Sequence, residues 1–164
     1  MKIKLKIIFS YLICHLISYF ILSVPYYHFV MKKYYVGDKA VFQSFLITEN
    51  QQELWSQVLT YIVPIQILNA VLFATLILLI FDWFRSQTIL KSFFFLFWSK
   101  TIINGLLSIS PGPGTLEGIL FLLPSVTMKI HFLVFMEMVF QGLIVAALFI
   151  FINRRFWRKT IEHY

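Results

Sequence analysis

The sequence predicts an all-α, polytopic membrane protein, with four transmembrane helices in one bundle and a short interfacial or re-entrant segment between the third and fourth. Three observations predict it. Of 164 residues, 60% are apolar and only 13% charged, far from the composition of soluble domains. Four windows, residues 7–24, 58–81, 92–110 and 132–152, approach the ~20 apolar residues that cross a ~30 Å hydrocarbon core. The basic residues gather at the edges of these windows instead of forming a polar surface.

The first window follows the basic start "MKIKLK". It is longer than a secretory signal core and ends in "SVPYY" without a small-x-small cleavage pattern, so it reads as a retained span. The next stretch, residues 25–57, is expected to be an external loop. Within it, Thr48 and Gln51 have the spacing of a capping box, which would start a helix near Glu49. Pro64 lacks a backbone donor and is expected to kink the second span.

The link "DWFRSQTILK" is short, so the second and third spans are expected to be antiparallel neighbours. The third span stops at "SISPGPG", where Pro111 and Pro113 remove donors. "TLEGILFLLPS" is too short to cross; Thr115 would cap a brief helix ended by Pro124. That segment is either apposed to the outer interface or re-entrant and buried against protein. In the fourth span, Gly142 and Ala146 form a small-xxx-small pair that allows close helix approach.

With the amino terminus inside, the cytoplasmic side carries Lys2, Lys4, Lys6, Arg85, Lys91, Arg154, Arg155, Arg158 and Lys159. The other side carries Lys32, Lys33, Lys39 and Lys129. The positive-inside bias therefore puts both termini in the cytoplasm. Compactness and flank charges point to the cytoplasmic membrane of a bacterium.

The net charge of +7 does not indicate nucleic acid, because the bases lack a polar surface with interleaved aromatics. A single cysteine, Cys14, permits neither an intrachain disulfide nor a thiolate cluster. His15, His28, His131 and His163 lack metal-ligand spacing, and there is no Walker A loop and no G-x-S-x-G elbow. No cofactor and no metal are expected.

The informative residues are polar ones inside apolar spans. "FFFLFWSKTIING", residues 93–105, holds Lys100, which shares a helix face with Asn104 and Ser108. Glu137 and Gln141 share a face of the fourth span. At ~1.5 Å per residue, Lys100 lies ~12 Å and Gln141 ~16 Å from the cytoplasmic edge, with Asn104 near Glu137 above them. Gln66 and Asn69 of the second span and His15 of the first fall at similar depth. Facing lipid would cost ~2.5–3.5 kcal/mol per charge, so these groups should turn inward.

Inside, they are either interhelical glue, with Lys100 and Glu137 neutralising each other, or a binding or proton-handling site. Three functions follow. The first is an inner-membrane accessory or interaction protein, an immunity-type protein being one version of it, with the lipid bilayer and a membrane-protein partner or a homo-oligomer around it. The second is a small-solute or proton transporter or channel component using Lys100, Glu137 and His15. The third is a membrane-embedded enzyme.

Overall fold

The computed structural model describes residues 2–107 and 112–153. Expectations placed on Ser108, Pro111, His163 and the basic residues from Arg154 onward lie outside the described residues, as does the side chain of Asn104. The chain is predominantly helical, with no strand among the described residues. Three helices, Ile3–Tyr35, Gln52–Leu79 and Met128–Asn153, are long and apolar enough to cross a membrane.

The first helix, α1 (residues 2–35), runs well past the expected end at Val24, so the loop begins at Val36 and not at Pro25. Proline removes one donor and crowds the preceding turn, a cost that wider π turns absorb. Two such turns, Tyr19–Ser23 and Tyr27–Met31, flank Pro25. The extension is tied down by the Tyr26 hydroxyl, which donates to the carbonyl of Leu133 at 2.9 Å.

Half of the expected capping box forms. The Gln51 side chain accepts from the Thr48 N–H at 3.4 Å, but Thr48 lies outside the helix, and α2 (Gln52–Leu79) starts after Gln51. It continues through Pro64. After the short α3 (Phe81–Ser86), the Thr88 hydroxyl accepts from the Lys91 N–H at 3.3 Å and starts α4 (residues 89–106) three residues before the apolar window. This helix is α-helical over Ile89–Thr101 and ends in a π turn, Ile102–Leu106.

Thr115 caps α5 (Leu116–Phe121) as expected, accepting from the Gly118 N–H at 2.9 Å, and the helix ends at Leu122, before Pro124. The last helix, α6, spans Met128–Asn153.

The packing corrects one expectation. The second and third windows are not a packed pair: α2 lies against α1, while α4 lies against α6, and α1 and α6 pack on each other between them. Close approach of α4 and α6 depends on Gly142, where an added Cβ would stand 2.5 Å from the Thr101 Oγ1 and 3.2 Å from the Phe97 carbonyl. Ala146 is fully buried one turn on, in keeping with the small-xxx-small reading.

Two packed clusters divide the molecule along its length. At the amino-terminal end, Ile7, Tyr11 and Cys14 of α1 meet Phe73 and Ile77 of α2, Leu96 of α4 and Phe149 of α6. Asn153 adds a buried hydrogen bond to the Ser10 hydroxyl at 3.0 Å. At the opposite, loop end, Met31, Tyr34, Phe42, Val126 and Ile130 form a smaller cluster. The outer faces stay apolar: Leu68, Leu72 and Leu79 are 58%, 62% and 78% exposed.

Candidate functional site

Between the two clusters the interior is hollow. Where α2 and α4 stand apart above the amino-terminal cluster, a cavity of about 230 Å³ opens, lined in part by Lys100, Glu137, Gln141, Gln66 and Asn69. Five of the seven polar residues expected at this depth therefore converge on one space, each helix of the interior supplying part of the wall. His15 stands one layer behind. It is 1% exposed, and its Nε2 pairs with the Gln66 side-chain oxygen at 2.9 Å. The oxygen can only accept, so Nε2 carries the proton. Its Nδ1 is buried with no hydrogen-bond partner among the described residues. Asn104 lies in the π turn that ends α4.

The expected pairing of Lys100 with Glu137 is not made. Among the described residues the ion pair present is Lys32 to Glu49, at the loop end. The Lys100 side chain is 5% exposed, yet it makes neither a hydrogen bond nor an ion pair among the described residues. Helix spacing brought both charges to one depth and one space, but they lie in walls of a cavity and not in contact. Gln141 reaches across to α1, its Nε2 donating to the Ser23 hydroxyl at 3.4 Å. Ser23 also interacts with Glu137.

The wall contains residues that the sequence reading passed over: Tyr19, Ser23, Gly105 and Met138. Tyr19 and Ser23 follow His15 at i+4 and i+8, a stripe of the same kind as Lys100 and Asn104. Ser18, three residues after His15, is not part of this wall: its hydroxyl turns back on its own helix and donates to the His15 carbonyl at 2.8 Å. Gly105 packs closely on Met138, and a Cβ there would oblige the methionine side chain to shift. Tyr19 and Ser23 begin and end one π turn, and Gly105 lies in another. Such turns recur at functional sites because they redirect side chains that a regular helix would send elsewhere.

A second cavity, of about 880 Å³, adjoins the first and extends to the loop end. The two share Tyr19, Ser23 and Glu137. Its wall is apolar over most of its length, with Val24, Met31, Val58, Ile62 and Val134. Over its far end the loop is latched to α1: the Glu49 carboxylate accepts from the Lys32 ammonium at 2.8 Å and from the Tyr27 hydroxyl at 2.9 Å. Trp55 stacks on Tyr27 with ring centroids 6.2 Å apart. The Lys32 ammonium, then the Tyr27 hydroxyl, hold the Glu49 carboxyl below the usual carboxylate range, with His28 adding a smaller pull.

Neither cavity is lined by α5, whose Leu120 and Phe121 point outward. The turn before it is fixed from α6, where His131 Nδ1 accepts from the Gly114 N–H at 3.1 Å. No group of three metal-ligating side chains occurs among the described residues. Compared with protein-family models, curated proteins and solved structures, the chain matches none.

Proposed function

We propose that this chain is an integral membrane protein of four crossing helices, with both termini in the cytoplasm, that binds a small solute bearing both a negative and a positive group. One observation carries the reading: a buried Lys100 and a half-buried Glu137, unpaired with each other, face a single cavity of about 230 Å³. Charges used as glue would be in contact, because a buried charge without its partner costs several kcal/mol, on the order of 3–5 when one partner is removed. A charge kept at this depth without that compensation is a binding group waiting for its counter-ion. Gln66, Asn69 and Gln141 add amide donors and acceptors to orient what enters.

Lipid as the surrounding medium is supported by the inversion of the usual polarity, with leucines outside and His15, Lys100 and Gln66 inside. The cluster at the amino-terminal end packs against the cytoplasmic side of the small cavity, which continues into the larger space toward the loop end. A channel would need an open path through Phe73, Leu96 and Phe149; a binding protein, or a carrier resting open to the outside, does not. This places the solute-handling reading ahead of the accessory one. The enzyme reading gains no nucleophile and base held at bonding distance among the described residues.

Access and charge can be read without knowing the solute. With Cys14 replaced by serine, Ser23→Cys should react with aminoethyl methanethiosulfonate and sulfonatoethyl methanethiosulfonate added outside sealed vesicles. Glu137→Gln should slow the cationic reagent and Lys100→Met the anionic one, each about tenfold. A cysteine inert to both reagents, or rates indifferent to both substitutions, contradicts the reading.

A further inference from the structure

We infer that the ligand is a single-chain amphiphile with a zwitterionic head, whose cationic group lies next to the chain and whose anionic group is terminal. The inference rests on the binding reading above and names the class of ligand. It comes from the order in which the walls present their chemistry. Lys100 lines only the small cavity, Glu137 lines both, and beyond Glu137 the wall is mainly apolar, with Val24, Ile62 and Val134, until Tyr27, His28 and Glu49 at the loop end. A molecule occupying both spaces therefore meets an ammonium, then a carboxylate, then an apolar sleeve.

The complement is anion, cation, chain. Volume agrees. At ~30 Å³ per water, 230 Å³ holds the equivalent of about seven or eight waters, enough for a head group and too little for a typical ligand. The adjoining 880 Å³ lies within the ~300–1,000 Å³ of small-molecule sites. A free solute would fill the first space and leave the larger one empty beside it. A hydrocarbon without a head would fill the second and leave Lys100 uncompensated. Ordering matters because the reverse arrangement, with phosphate next to the chain and ammonium terminal, would put like charges together at both Glu137 and Lys100.

Trp55 lies in the wall of the larger cavity and reports its contents. In a variant retaining it as the single tryptophan (Trp83→Phe, Trp98→Phe, Trp157→Phe), reconstituted in nanodiscs, the probe is N-dodecylglycine brominated in the chain. Quenching of Trp55 should saturate and be reversed by unbrominated N-dodecylglycine. The apparent affinity should fall about tenfold or more in Lys100→Met and in Glu137→Gln, the loss expected for a charge-assisted hydrogen bond. Dodecylphosphoethanolamine, of opposite order, and dodecanoate, with no cation, should compete at least about tenfold more weakly.

Quenching that rises in proportion to probe and ignores both substitutions would mean that bulk chains fill the apolar space, which overturns the proposal. Equal competition by dodecylphosphoethanolamine overturns the head-group order. If N-methylglycine protects Ser23→Cys from modification while Trp55 is never quenched, the cavity binds a solute without a chain. That result sinks the amphiphile and leaves the binding site intact.

Discussion

At the scale of single residues, the most informative signal was a lysine in an aromatic run. Lys100, Glu137, Gln141, Gln66 and Asn69 were legible because helical spacing and span depth placed them at one level, and they line one cavity. What the sequence did not carry was whether they touch. Spacing along a helix fixes a face to within part of a turn, whereas contact depends on how far apart the helices stand. Tyr19 and Ser23 fall at i+4 and i+8 from His15, so their stripe was present in the sequence; the π turn that they begin and end is what no residue pattern announces. Glu49 is a second residue whose role depends on contact. Its lowered titration means that the latch contributes fully above the usual carboxylate range and is lost as pH falls through the lowered value. The contribution is small, at most about 1 kcal/mol for so exposed a pair. The protection factors of residues 41–51, taken relative to the intrinsic exchange rate at each pH, should therefore be higher at neutral pH than in acid, and low at both in Glu49→Gln; protection that is independent of pH would remove the latch.

At the scale of elements, apolar run length found the helices but misplaced their ends. α1 outlasts its apolar window because Tyr26, Met31 and Tyr34 pack at the loop end, a stabilisation that comes from Leu133, Val126 and Ile130, more than ninety residues away. α4 begins early because Thr88 caps it, a local signal that was present but overlooked among longer apolar cues. Thr115, by contrast, was readable, since its threonine precedes an isolated short run. The pairing of helices was the least legible feature. A short link suggested that the second and third spans would pack together, yet Gly142 draws α4 against α6 instead. The gap this leaves on the α2 side is the cavity, so a single glycine contact helps to create the site.

At the scale of the whole molecule, the polar interior and apolar exterior set the expected placement in the bilayer, with solid packing toward the cytoplasm and hollow packing toward the outside. Four crossings have a direct signature in single-cysteine labelling of the Cys14→Ser protein, where the buried native thiol is gone. Asp38→Cys and Glu117→Cys should react with an impermeant maleimide in intact cells, and Gln87→Cys only after lysis. Labelling of position 117 from the same side as 87 would show that α4 does not cross and would leave three spans. The basic residues Arg85 and Lys91 against Lys32, Lys33 and Lys39 support the proposed orientation only as a statistical bias, because each flank contains some charge.

The central claim is that Lys100 and Glu137 face a cavity and not each other. A double-mutant cycle of Lys100→Met and Glu137→Gln on the ligand-free protein, with unfolding free energy measured in a bilayer mimetic, tests it most directly. Removing an uncompensated buried ammonium should stabilise the fold by about 1 kcal/mol or more, and the coupling between the two substitutions should fall within about 0.5 kcal/mol of zero. Destabilisation by each single substitution, with a coupling above about 1 kcal/mol, would show the two charges holding the helices together and would contradict the account.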